Sequence, residues 1–338
     1  MISRVAESCF WLHRYMERAE STARLLAVNR FTVLDASLQG AERWRPVIVV
    51  VGEEKRFLEL CGADHFDDDD VAERYLTWEE ENPISIQHTI YWARENARTI
   101  REVISPEMWG TLNTFFQWVN GPSGEREFAE DRANFYQKVR DMTAQFQGTC
   151  HSTMLHEEPF DFMNLGMMLE RVSQTARVMD VMHHWLSASP TLPNVVTALE
   201  SAQWAALLRF CSATEPFFKR ASGAPTGPAV AEFLLKDEAF PRSTLHCLDR
   251  ARYFLERIQR RIQRPRPPAA YELILPLSES LRERSMEQIF SEGLHKELTR
   301  IIDTIAQACE LISSEYFHPG PSKAPATEVP AARVSLSP

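Results

Sequence analysis

Glycine is scarce in this chain, 12 residues of 338, about half the usual share. Few positions can take the positive φ that tight turns need, so long helices are expected. Cysteine is sparse and scattered: Cys9, Cys61, Cys150, Cys211, Cys247 and Cys309 show no CxxC spacing. A disulfide frame or cysteine zinc site is not expected, and a reducing cytoplasm fits. An excess of positive charge is also missing, with 37 Lys and Arg against 47 Asp and Glu for a net charge of −10. Nucleic-acid binding rests on clustered cations and is not expected. No stretch approaches the roughly 18 uncharged apolar residues that suggest a membrane span. Arg4, Glu7, Arg14 and Glu17 do not belong in a signal peptide. P-loop, GxGxxG and GxSxG motifs are all absent, so neither a nucleotide fold nor a hydrolase elbow is visible and no cofactor is expected. His151, His156, Glu157, Glu158 and the His183-His184 pair lack zinc spacing. Asp67 to Asp70 lack the glycine and terminal glutamate of a calcium loop, so no metal is expected.

What is present is an ordinary globular composition, 44% hydrophobic and 25% charged, in a chain long enough for about two domains. The chain also repeats itself. Residues 16–24 read MERAESTAR and residues 169–177 read LERVSQTAR, sharing the frame E-R-x-x-x-T-A-R. Further matches follow in the same order. Trp44 pairs with Trp204, Val71-Ala72-Glu73 with Val230-Ala231-Glu232, and Pro83-x-Ser85-x-x-His88 with Pro241-x-Ser243-x-x-His246. The offsets stay between roughly 153 and 160 residues, which points to a tandem duplication. The predicted fold is all-α, a tandem-duplicated helical bundle with copies related by a pseudo-two-fold. The first copy spans 1–155 and the second, packed on it as one unit, 156–316. Residues 317–338, rich in Pro, Ala and Ser, are expected to be a disordered tail.

Residues 3–37 contain neither Gly nor Pro and begin at Ser3, a suitable N-cap. Ile86, Ile90, Ala93, Ala97, Ile100 and Ile104 form a core stripe at helical spacing. Further helices are predicted near 106–118, 126–154, 157–186, 194–213, 242–263 and 293–316. Val47-Ile48-Val49-Val50-Val51 has strand propensity. Its counterpart, Ala205 to Phe210, prefers helix, and a lone strand has no partner, so a buried helix is predicted.

Adjacent helical residues diverge by about 100°, so the Glu and Arg of one ER pair cannot face one partner. Glu7, Arg14 and Arg18 fall within about 40° of one another, with Trp11 among them. Glu17 and Arg24 share a different stripe. Such a carboxylate and guanidinium set beside a helix seam suits an anionic group or a positioned proton transfer. The competing reading makes Glu17, Arg24, Glu170, Arg171 and Arg177 structural ion pairs that lock helix register. Arg94, Arg98 and Arg101 form a ladder that requires negative partners. Arg257, Arg260, Arg261, Arg264 and Arg266 make the one dense basic run, either a solvated helix end or a docking surface for an acidic partner.

Ser3-Arg4-Val5-Ala6-Glu7, Trp11 to Glu20, Thr22-Ala23-Arg24, the block Ala93-Arg94-Glu95-Asn96-Ala97-Arg98, and Leu165-Gly166 with Leu169-Glu170-Arg171 resemble the bacterial Alpha-E family. His13 replaces a usual Gly, Met167 a usual Arg, and Val172-Ser173 a usual Ala-Asp. The resemblance implies a helical domain with a recurring Glu-Arg motif. It also implies association with a circularly permuted ATP-grasp ligase, often with a transglutaminase-like peptidase. The expected function is therefore a cytoplasmic accessory subunit of a ligase system making peptide or amide bonds, docking the ligase or presenting its acceptor. Two alternatives stand beside it. One is an enzyme using Glu7, Arg14, Glu17, Arg18, Arg94 and Arg98 on a carboxylate- or phosphate-bearing intermediate. The other is a non-catalytic helical scaffold.

Overall fold

Two long helices carry the fold, and both contain an ER motif. The computed structural model describes residues 3–35, 43–188, 198–263 and 266–318. Among these, all regular structure is helical and no strand occurs. The first eight α-helices are α1 Ser3–Asp35, α2 Arg45–Val51, α3 Glu54–Leu60, α4 Asp69–Trp78, α5 Ile86–Thr99, α6 Pro106–Val119, α7 Pro122–Glu130 and α8 Arg132–Thr153. The remaining eight are α9 Glu158–Ala188, α10 Ala198–Phe210, α11 Thr214–Arg220, α12 Gly227–Lys236, α13 Thr244–Arg261, α14 Ala269–Glu283, α15 Met286–Glu292 and α16 Leu294–Ile312. The expected tail starts too early at 317, since Phe317 is buried against Phe10, and from Pro319 on it lies outside the described residues.

Helices α1 and α9 pack directly on each other in the same direction. Helices α5 and α8 lie on α1, and α6 packs on both of them. Helices α13 and α16 lie on α9, and α14 packs on both of those. Helices α2 and α10 each touch both central helices. The close crossing depends on Gly166. A Cβ there would stand 2.3 Å from the Phe10 backbone oxygen and 3.1 Å from Cγ of Arg14. The missing side chain lets α1 approach α9 one turn before Arg14 and Glu170.

Local chemistry explains the element boundaries. Ser85 caps α5 by accepting from His88 N–H at 3.2 Å, and Ser243 caps α13 by accepting from His246 N–H at the same distance. Each imidazole then reaches back to a loop carbonyl, His88 Nδ1 to Glu80 at 3.2 Å and His246 Nδ1 to Glu238 at 2.8 Å. The Pro-x-Ser-x-x-His pattern is thus a helix-start device. The helix expected over 126–154 is two helices. Asp131 is extended and accepts from Asn134 N–H at 3.0 Å, which ends α7 and starts α8.

Val47–Val51 lies in a helix. Pro46 occupies its first turn, and Val47, Ile48 and Val50 are buried. The helix closes at Gly52, whose φ of 83° lets Glu53 N–H bond the Ile48 carbonyl. Burial outweighs the local β propensity here, because the short segment finds apolar surface on both α1 and α9.

Candidate functional site

The ER motifs meet where α1 and α9 cross. Because Glu17 and Arg18 point in different directions, each looks for its partner on another helix. Glu17 is fully buried. Its carboxylate is held by Arg171 Nε at 3.0 Å and Arg242 Nη1 at 2.6 Å, with Gln147 donating at 3.3 Å. Glu170 is equally sequestered. Arg18 Nε donates to one oxygen at 2.8 Å, Arg14 Nε to the other at 2.9 Å, and Gln174 adds a bond at 3.1 Å. The Glu of each motif thus pairs with the Arg of the other.

Burial alone raises a carboxyl pKa, since it penalises the charged form. At Glu17, Arg171 and Arg242 overcome that penalty and hold the group down at about 2. At Glu170 burial is likewise overcome by Arg18 and Arg14, which hold it far below the usual carboxylate range. Both are therefore anions with their charge fully engaged. His13 shows the opposite balance. Its ring packs on Phe146 at 5.5 Å, and neither nitrogen has a hydrogen-bond partner. Burial pushes its pKa down to about 3, against the opposing pull of Glu17 and with help from Arg171. It is a neutral core residue.

Beyond the crossing the arginines of the two motifs are engaged differently. Arg24 bonds Glu20, one turn earlier, and Ser212 across the seam. Arg242 bridges Glu17 and Glu20, reaching the latter at 2.9 Å. Arg177 occupies the place of Arg24 in the second motif, but the residue at the place of Glu20 is Ser173, and Ile84 stands at the place of Arg242. Arg177 has no ion pair or hydrogen bond among the described residues. It lines a pocket of about 300 Å³ with Arg14, Arg18 and Glu170. Thr22, Ser173 and Gln174 supply further polar groups, and Val50, Val51 and Ile84 form an apolar wall.

The other sequence-selected residues lie elsewhere. Among the described residues Glu7 pairs with His318, at 3.8 Å. Arg94 donates to Asn113 at 3.0 Å and sits over the Trp109 and Phe116 rings of α6, while Arg98 pairs with Glu95 at 2.5 Å. Neither bonds Glu17 or Glu170, so the six residues of the enzyme reading are not gathered into one site. In the basic run, Arg257 and Arg261 turn to the buried Asp161, at 3.0 and 3.5 Å. Arg260 pairs with Glu256, Arg266 is exposed, and Arg264 lies outside the described residues. Sequence reasoning missed Arg242. Its signal was a single charged residue inside the Pro-x-Ser motif, where the first occurrence has Ile84. Among the described residues no group of three His, Cys, Asp or Glu side chains is placed to hold a metal, and no helix is long and apolar enough to cross a membrane.

Comparison with known proteins places this geometry in context. A family profile, Alpha-E, described as a predicted alpha-helical domain with a conserved ER motif, matches residues 1–317. An uncharacterised protein of Mycobacterium bovis is 26% identical over 317 residues, as is one of Mycobacterium tuberculosis. The match covers 88% of this chain and 35% of each relative, so the chain spans about a third of the length of these proteins. No solved structure matches the chain.

Proposed function

Since the chain belongs to the Alpha-E family, we propose that it is the helical companion of a circularly permuted ATP-grasp ligase in a system that makes peptide or amide bonds. In this reading it docks the ligase or presents its acceptor and performs no chemistry with its ER motif. The observation that carries this is the engagement of Glu17 and Glu170. Both are buried, and each is held by two arginines. A general base needs a carboxylate with a pKa near working pH, and the arginines hold both of these well below it. The relatives' greater length supports a module that works beside other domains. The ligase, and a transglutaminase-like peptidase as a further partner, enter through the resemblance of the ER blocks, and a cytoplasmic setting accompanies them.

The same reading treats the chain as duplicated, with copies 1–155 and 156–316 related by a pseudo-two-fold. Reciprocal Glu17–Arg171 and Glu170–Arg18 pairing supports it, as do the matched caps Ser85 and Ser243. Gly52 and Ser212 add support, since each has positive φ just past a matched helix. In an experimental structure, the operation that carries α1 onto α9 is expected to carry α5 onto α13, and failure to do so overturns the duplication.

Co-expression with a circularly permuted ATP-grasp ligase of the same organism tests the function. A stable complex is expected, with ligase turnover retained when Glu17→Gln is folded into it. Absence of a complex, or loss of turnover by a folded Glu17→Gln complex, overturns the reading.

A further inference from the structure

The pocket at Arg177 has a charge that nothing in it balances. Its lining carries Arg14, Arg18 and Arg177 against Glu170 alone, an excess of two positive charges. Glu170 occupies Nε of both Arg14 and Arg18, and the Cys309 sulfur lies 3.3 Å from Arg14 Nη1. These two guanidiniums are thereby held in fixed positions. Arg177 makes no bond among the described residues, so its whole donor fork is available for a planar or tetrahedral oxyanion. The hydroxyls of Thr22 and Ser173 line the same space and are likewise uncommitted among the described residues.

In the other ER motif the matching arginine is engaged, and Arg24, Arg171 and Arg242 share the two carboxylates of Glu17 and Glu20. There, Arg24 is paired to Glu20, and Arg242 fills the space and spans Glu17 and Glu20. At the corresponding positions the Arg177 side has Ser173 and Ile84, which remove one carboxylate and one long side chain together. Removing both leaves a void beside a free cation. Val50, Val51 and Ile84 keep part of the wall apolar, which strengthens charge interactions inside. Gly52 borders the cavity with no side chain, and a Cβ there would stand 3.8 Å from Arg177 Nη1.

We propose that this pocket binds a doubly charged oxyanion, a phosphoryl group on a small molecule, with Arg177 as its principal ligand. Arg14 and Arg18 supply the fixed positive field, and Ser173 and Thr22 supply hydroxyl donors. A dianion balances the two excess charges, whereas a carboxylate leaves one unbalanced. The proposal stands independently of the ligase reading, because it concerns binding by this chain alone.

Calorimetric titration of the full chain with inorganic phosphate at low ionic strength tests it, with acetate as the singly charged comparison. One saturable phosphate site is expected, weakening as salt is added. Arg177→Gln is expected to weaken phosphate binding about tenfold or more while leaving the melting temperature of the unliganded protein unchanged. Ser173→Glu places a carboxylate one turn before Arg177, as Glu20 stands before Arg24. It is expected to abolish phosphate binding with stability equal or higher, so lost affinity is separated from lost folding. No phosphate binding by the wild type overturns the proposal. So does unchanged affinity in both variants, or acetate binding as tight as phosphate.

Discussion

At the scale of the residue, neighbouring positions of one helix face opposite chemical fates. Glu17 is an anion caged by arginines, and His13, one turn earlier, is a neutral ring without a polar partner. Glu17→Ala leaves the buried guanidinium of Arg171 without a carboxylate and Arg242 with Glu20 alone, and a loss of about 3–5 kcal/mol in unfolding free energy is expected, readable by urea denaturation. His13 makes a pH prediction. Its folded pKa, about 3, lies below its ordinary 6.5, so the unfolded chain takes up the proton first. The His13 contribution is complete above pH 6.5 and is lost progressively as pH falls toward 3. The expected loss from this residue is about 1.4 kcal/mol per pH unit within that window. Denaturation midpoints at a series of pH values check this, with His13→Leu removing that portion of the acid dependence. A His13→Leu protein with the same slope would assign the acid loss to other groups.

At the scale of the element, the fold turns on how closely α1 and α9 approach. Gly166→Ala puts a methyl group into the Phe10 carbonyl, against backbone that has no rotamer to yield. Destabilisation of about 1–3 kcal/mol or more is expected, together with weakened Arg14–Glu170 geometry, observable as a lower melting temperature. The matching caps are milder. Ser85→Ala and Ser243→Ala each lose one helix-start bond, at a cost of about 1 kcal/mol. Elements of this kind were legible in the sequence because their causes are local. Ser at a cap and an apolar stripe at helical spacing act within a turn or two, as α5 shows. The break at Asp131 was missed because helix-forming residues continue on both sides of it. Only the cap bond to Asn134 reveals where one helix stops.

At the scale of the whole molecule, the two halves complete each other's charges. Glu17 lies in the first half and both its arginines in the second, while Glu170 lies in the second and takes Arg14 and Arg18 from the first. Residues 1–155 expressed alone therefore carry a buried Glu17 without its cations, and 156–318 a buried Glu170 without its own. Each half is expected to lack a cooperative thermal transition, and mixing the two is expected to restore one. A cooperative transition in either half alone would show that the crossing is not needed for folding.

The sequence by itself determined the helical class, the family, the approximate place of several long helices and the existence of two ER motifs. Helix periodicity, capping and low glycine content are properties of neighbouring residues, so they survive being read in one dimension. It also marked Glu17, Glu170, Arg18 and Arg171 as charges that no single helix face could pair. Tertiary structure decided the partners. Arg14 and Glu170 are 156 positions apart, and Arg242 and Glu17 are 225 apart. The α1–α9 crossing, which the missing side chain at Gly166 permits, joins the first pair, and the packing of α13 on α9 carries Arg242 to Glu17. Arg24 finds Glu20 one turn earlier on its own helix, whereas Arg177 has Ser173 at that place and is left beside a cavity. Two arginines in the same short motif thus end in different electrostatic environments: the sequence sets the residue one turn before each, and the fold decides that Arg242 packs beside one and Ile84 beside the other.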